Sequence, residues 1–193
     1  MNNIGNNTLR VKVIWSIIVP QIILLTISIV WILIDSSANV LPYFKALNLI
    51  QILIGLLVGI VLSFGGYVIY KIALKTKFLF EVVELFERMI APSMKTLRIT
   101  DMIILSLISS VVEETFFRGI LFMKFGIVLS SLCFGVMHLP GVKYWIYAAW
   151  ATMSGAIFCL LFSWSGSLVL PILIHATNNI IGMLLLVRLK DSS

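Results

Sequence analysis

The chain has 193 residues, of which 61% are hydrophobic and only 11% charged, with a mean hydropathy of +1.12. A soluble domain carries roughly 25% charge, so these values exclude an ordinary water-soluble enzyme and make lipid the solvent. The length leaves room for one integral membrane domain over residues 1–193 and no appended module. The net charge of +6 does not point to nucleic acid, because the basic residues are scattered at segment ends and form no stripe.

A bilayer-spanning helix needs about 20 mostly apolar residues. Six segments qualify in chain order, near 13–34, 48–70, 102–123, 126–139, 144–163 and 168–187. The second contains Gly55-x-x-x-Gly59, a spacing that permits close helix approach. The fourth is short and bounded by Gly126 and the Pro140-Gly141 pair, which predicts a segment that stops part-way or dips where protein surrounds it. In the 71–101 connection, Lys77, Glu81, Glu84 and Arg88 recur opposite Val82, Val83, Phe86, Met89 and Ile90. That pattern predicts an amphipathic helix ended by Pro92, either lying on the membrane surface or joining two spans in solvent. The fold class is therefore all-α, a polytopic transmembrane bundle of about six membrane helices.

Lys and Arg counts in the connections set the orientation. Arg10 and Lys12 precede the first span; Lys71, Lys75, Lys77, Arg88, Lys95 and Arg98 follow the second; Lys143, Arg188 and Lys190 return to the same side. The opposite side carries only Lys45 and Lys124. Both termini are expected to be cytoplasmic.

Glu113 and Glu114 lie near the middle of the third span, with Arg118 one turn later. A charge at a helix centre costs about 2.5–3.5 kcal/mol on insertion scales, so three within six positions require a compensating environment. Glu114 and Arg118 are spaced i,i+4 and can pair. A salt-bridged pin would account for these two, but Glu113 lies about 100° round the helix and is left over for chemistry. The chain's two histidines also fall in apolar segments: His138 ends the fourth, and His175 lies in the last with Asn179 one turn on. At a rise of about 1.5 Å per residue, Glu113, His138 and His175 lie about 15, 18 and 11 Å from the Lys124 side. They can converge on one cavity, where a carboxylate and an imidazole can activate water and an imidazole with a carboxamide can donate to an oxyanion.

Three signatures thus stand in order: Glu113-Glu114-x-x-x-Arg118, Phe134-x-x-x-His138 and His175-x-x-x-Asn179. Over about residues 100–187 they resemble the CPBP family, the intramembrane proteases related to type II CAAX prenyl endopeptidases and to bacterial bacteriocin-processing and immunity proteins. The resemblance implies an endopeptidase in which Glu113, assisted by His138, activates water, His175 and Asn179 steady the oxyanion, and Glu114 and Arg118 support the site. It implies a bacterial plasma membrane as the location, no cofactor, and a peptide or membrane-protein substrate. About six spans here stand against eight in the larger relatives. Zinc held by Glu113, His138 and His175 is the alternative chemistry. A non-catalytic immunity or peptide-binding protein, and a transporter or proton relay, are the alternative functions; the former would be marked by a lost motif residue and the latter by repeat symmetry, and neither mark is present.

Overall fold

The computed structural model describes residues 3–188; Lys190, counted above among the inner basic residues, lies outside the described residues. All regular structure among them is helical: α1 (Asn3–Ile34), α2 (Leu49–Ala73), α3 (residues 80–94), α4 (Ile99–Glu114, running on through a π-helical stretch Thr115–Phe122), α5 (Met123–Met137), α6 (Trp145–Ser165) and α7 (Val169–Val187). The bundle encloses polar groups within an apolar core and faces outward with apolar side chains. Ser106, Ser110, Glu114, Arg118 and Ser130 have no exposed surface, while Trp15, Ile22, Leu57, Val128 and Leu160 are more than half exposed. This suits lipid as solvent: hydrocarbon competes with leucine for apolar contact, so helices associate through close packing and internal hydrogen bonds. The protein is an integral membrane protein.

Among the described residues five helical stretches are long and apolar enough to cross a membrane, because Ile99–Met137 counts as one of 39 residues. The expected third and fourth segments are the two arms of that stretch. They meet at Gly126, whose φ of 78° and ψ of −177° break the helix, a backbone region that glycine enters without penalty. The second arm folds back on the first: Ser130 Oγ donates to the Phe117 carbonyl at 2.7 Å, and the Phe117 and Phe134 rings meet edge to face at 5.1 Å. From Gly126 to Met137 the arm rises only about 16 Å, roughly half of a hydrocarbon core. It ends at His138.

The glycine pair of α2 packs on α7. A Cβ at Gly55 would come 2.9 Å from Leu173 Cδ2, and one at Gly59 would come 2.8 Å from the Ile174 carbonyl oxygen. The helix that carries His175 and Asn179 is thereby seated backbone to backbone.

The amphipathic helix forms as α3, with Val82, Leu85, Ala91 and Met94 buried, but Pro92 does not end it. The helix continues to Met94, because the turn before the proline is π-helical over Leu85–Ile90. With bonds there spanning five residues, as from Ala91 N–H to the Phe86 carbonyl, the missing proline amide is absorbed at a register shift. α3 is tied to its neighbours by Tyr70 Oη donating to Glu87 at 2.6 Å and by Lys143 to Glu84 at 2.8 Å. On the same side Arg10 pairs with Asp101 at 2.5 and 2.6 Å. On the opposite side Lys124 pairs with Asp35, whose carboxyl it holds down to about 2. There too the Ser167 hydroxyl donates to the Lys45 carbonyl at 2.6 Å.

Candidate active site

The six polar residues singled out in the sequence come together between α4, α5 and α7, and they divide into a sealed half and an open half. In the sealed half Glu114 and Arg118 are completely buried. Arg118 Nη1 lies 3.0 Å from Glu114 Oε1 and 2.9 Å from Oε2, which realises the i,i+4 pair. Its Nη2 donates to the Gly155 carbonyl at 3.1 Å, and a Cβ at Gly155 would stand 3.2 Å from Nη2, so glycine there leaves the space that the guanidinium occupies. The remaining faces of Arg118 are covered by the Phe134 and Phe158 rings, with centroids 4.4 and 5.0 Å from Cζ. A desolvated guanidinium gains from such ring faces.

Glu114 has a second partner that i,i+4 spacing does not reveal. His175 Nδ1 lies 2.7 Å from Glu114 Oε1. A carboxylate only accepts, so Nδ1 carries the hydrogen and the other ring nitrogen, Nε2, is turned towards Glu113. His138 is held by a different device with the same result. Its Nδ1 lies 2.8 Å from the Phe134 carbonyl, which fixes the hydrogen on Nδ1 and leaves Nε2 as the free acceptor. The Phe134-x-x-x-His138 spacing is thus one helical turn closed by a side chain on its own backbone, with the two rings in tilted contact at 4.4 Å.

In the open half Glu113 is 9% exposed. Gln21 Nε2, from α1, donates to its Oε1 at 2.8 Å. Its Oε2 has no hydrogen-bond partner among the described residues and is faced by His138 Nε2 at 3.8 Å and His175 Nε2 at 4.0 Å. Those separations exceed a hydrogen bond and suit an intervening water. Asn179 lies one turn from His175 and donates through Nδ2 to Ser109 Oγ at 3.4 Å. All four groups line a cavity of about 390 Å³ that extends to Tyr147, Trp150 and α3. Gln21, Ser109 and Tyr147 were not singled out in the sequence. For Gln21 the signal was an amide in an otherwise apolar span.

The fit of a metal can be tested on the same atoms. Ligands of a tetrahedral zinc at about 2.0–2.1 Å stand about 3.3 Å apart, closer than either imidazole approaches Glu113 Oε2. Among the described residues no three His, Cys, Asp or Glu side chains are placed to hold a metal ion.

Comparison with known proteins bears on the same stretch. Residues 95–181 match the family model described as type II CAAX prenyl endopeptidase Rce1-like, a range that includes all three signatures. Over 77 residues the chain is 30% identical to the uncharacterized protein YpbD of Bacillus subtilis (strain 168), an alignment that covers 40% of this chain and 41% of that protein. The match therefore spans less than half of that relative's length. No solved structure matches the chain. Over residues 95–181, then, the chain is similar to the type II CAAX prenyl endopeptidase Rce1-like family.

Proposed function

We propose that the protein is an intramembrane endopeptidase that hydrolyses a peptide bond with a water activated by Glu113. The observation that carries this reading is Glu113 Oε2, a carboxylate oxygen with no hydrogen-bond partner among the described residues, in a residue that lines a cavity and faced by two imidazole nitrogens. Glu113 Oε1 is held by Gln21 and the Nδ1 atoms of both imidazoles are anchored, so a water placed between Glu113 Oε2 and His138 Nε2 would donate to two acceptors and present its lone pair to a carbonyl carbon. The developing oxyanion would meet Asn179 Nδ2, and His175 Nε2 where that ring is an imidazolium, since its Nδ1 hydrogen belongs to Glu114. Glu114 thus acts on the reaction through His175, as the carboxylate of a catalytic triad acts through its histidine. The Rce1-like match supports the protease class. The cavity reaches the side that holds Arg10, Lys71 and Lys143, the cytoplasmic one by the distribution of basic residues, and the substrate is a peptide or a segment of a membrane protein presented there.

The test is cleavage of an internally quenched reporter peptide by the detergent-solubilised chain. Glu113→Gln keeps the shape and part of the hydrogen bonding but removes the base. Cleavage should fall by about two to four orders of magnitude, the usual worth of general base catalysis, with membrane abundance unchanged. Wild-type turnover by this variant would sink the mechanism.

A further inference from the structure

The first helix lies outside the residues that match the Rce1-like family, yet it supplies the only side chain hydrogen-bonded to Glu113 among the described residues. Gln21 is buried and follows Pro20 within α1. Its amide has one workable orientation beside an ionised carboxylate: Nε2 towards Glu113 Oε1, because the reverse would set two oxygens against each other. That bond pins Oε1 and so fixes the direction in which Oε2 faces His138 and His175. The Gln21 oxygen has no partner among the described residues, and the side chain lines the 390 Å³ cavity.

We infer that Gln21 is a positioning residue for the reaction, holding Glu113 Oε1 and so aiming Oε2 at the attacking water. This inference rests on the reading of Glu113 as the base. The other ionisable groups facing Glu113 are His138, His175, Tyr147 and the neighbouring Glu114, and none of them is altered by a change at position 21. Gln21→Met keeps the volume and removes the donor. A hydrogen bond to a charged group, when lost, corresponds to about a ten- to hundredfold effect, which should fall on kcat and leave KM nearly unchanged.

Because the donor touches the proposed base directly, its removal should also displace the acid limb of the kcat/KM profile. Gln21→Glu restores a donor only while its own carboxylic acid stays protonated. It should exceed Gln21→Met at low pH and lose activity as pH rises, the opposite trend to wild type. The experiment uses the full chain in detergent and the quenched peptide that wild type cleaves fastest from a mixed-sequence library, with thermal stability recorded alongside. A folded Gln21→Met with wild-type kcat and an unmoved acid limb overturns the inference. If Gln21→Met does not fold, a Gln21→Glu profile parallel to wild type overturns it. Where Glu113→Gln is inactive and Gln21→Met is normal, only the role of Gln21 fails; where Glu113→Gln is fully active, the underlying reading fails.

Discussion

Glu113 and Glu114 are consecutive residues of one helix, and they end up in opposite halves of the site. Glu114 faces the interior, takes two charge-assisted bonds, from Arg118 and His175, and meets no cavity. Glu113, turned about 100° round the helix, takes one bond from Gln21 and leaves an oxygen on the cavity wall. The difference shows how a bilayer protein can enclose one carboxylate and leave its neighbour open to a cavity with no change of residue type. Partners and surroundings decide it: Glu114, with two charged partners and no exposed surface, is placed to hold its neighbours, and Glu113, with one neutral partner, has an oxygen left for water beside the cavity.

The largest effect in the sealed half should come from Glu114→Gln. It leaves Arg118 buried without its counter-charge, which can cost about 3–5 kcal/mol. Folded yield and thermal stability in detergent should fall together with cleavage, whereas Glu113→Gln loses cleavage alone. Replacing Arg118 by Met alongside Glu114→Gln removes the stranded charge, and the double mutant should recover abundance. Activity should stay low, because His175 still lacks the carboxylate on Nδ1. A double mutant that regains both would reduce Glu114 to a mere pin for Arg118 and erase the second half of its role. If Glu113→Gln instead loses folded protein while Glu114→Gln does not, the two roles must be exchanged.

A smaller effect should come from the helix that serves both halves. α7 presents His175 to Glu114 and Asn179 to the cavity, and it is seated on α2 through two glycines of unequal tolerance. At Gly55 the new methyl would press on Leu173 and Leu170 side-chain ends, which can rotate away. At Gly59 it would press on the Ile174 backbone and on Thr177 Cβ, at 2.8 and 2.7 Å, so α7 itself must shift. Displacements of about 1 Å can cost up to a hundredfold in rate. Gly59→Ala should therefore cut cleavage by about ten- to hundredfold and lower the melting temperature, while Gly55→Ala stays within about threefold of wild type. Equal effects at the two positions would show that the glycines set helix contact in general and not the placement of His175.

Much of the sealed half was legible in the sequence, and less of the open one. Charged residues and histidines stand out against an apolar background because each is costly there, so Glu113, Glu114, Arg118, His138 and His175 could be named, and helical rise placed three of them at similar depth. The i,i+4 rule gave the Glu114–Arg118 pair. It could not give the Glu114–His175 bond, which joins residues 61 apart, or Gln21 to Glu113, 92 apart. Span positions followed from apolar length. The reversal at Gly126 and the continuation of α3 past Pro92 depended on a positive φ and a π-helical register shift, neither of which leaves a periodic trace.

The smallest effect expected is that of removing metal, and it bears on the open half alone. His138 and His175 each direct Nε2 at Glu113 Oε2, with Nδ1 anchored on a carbonyl and on a carboxylate; outer partners of this kind also steady the histidines of zinc sites. Two features argue for water chemistry without zinc. The imidazoles stand 3.8 and 4.0 Å from the carboxylate oxygen, wider than the roughly 3.3 Å between ligands of a tetrahedral zinc, and drawing them in would strain the Nδ1 bonds that orient them. Asn179 lines the same cavity, where its amide would suit a donor to an oxyanion and would make a poor zinc ligand. Purified protein should hold well under one zinc per chain by elemental analysis, and dialysis against a strong chelator should leave reporter cleavage and thermal stability within error of the untreated sample. The opposite result, stoichiometric zinc lost together with activity and both restored by added zinc, would redraw the site. Glu114 would then become the outer carboxylate of a histidine–zinc relay, and Glu113, His138 and His175 its ligands. The distinction between a sealed and an open half would survive, with the metal taking over from Glu113 the activation of water.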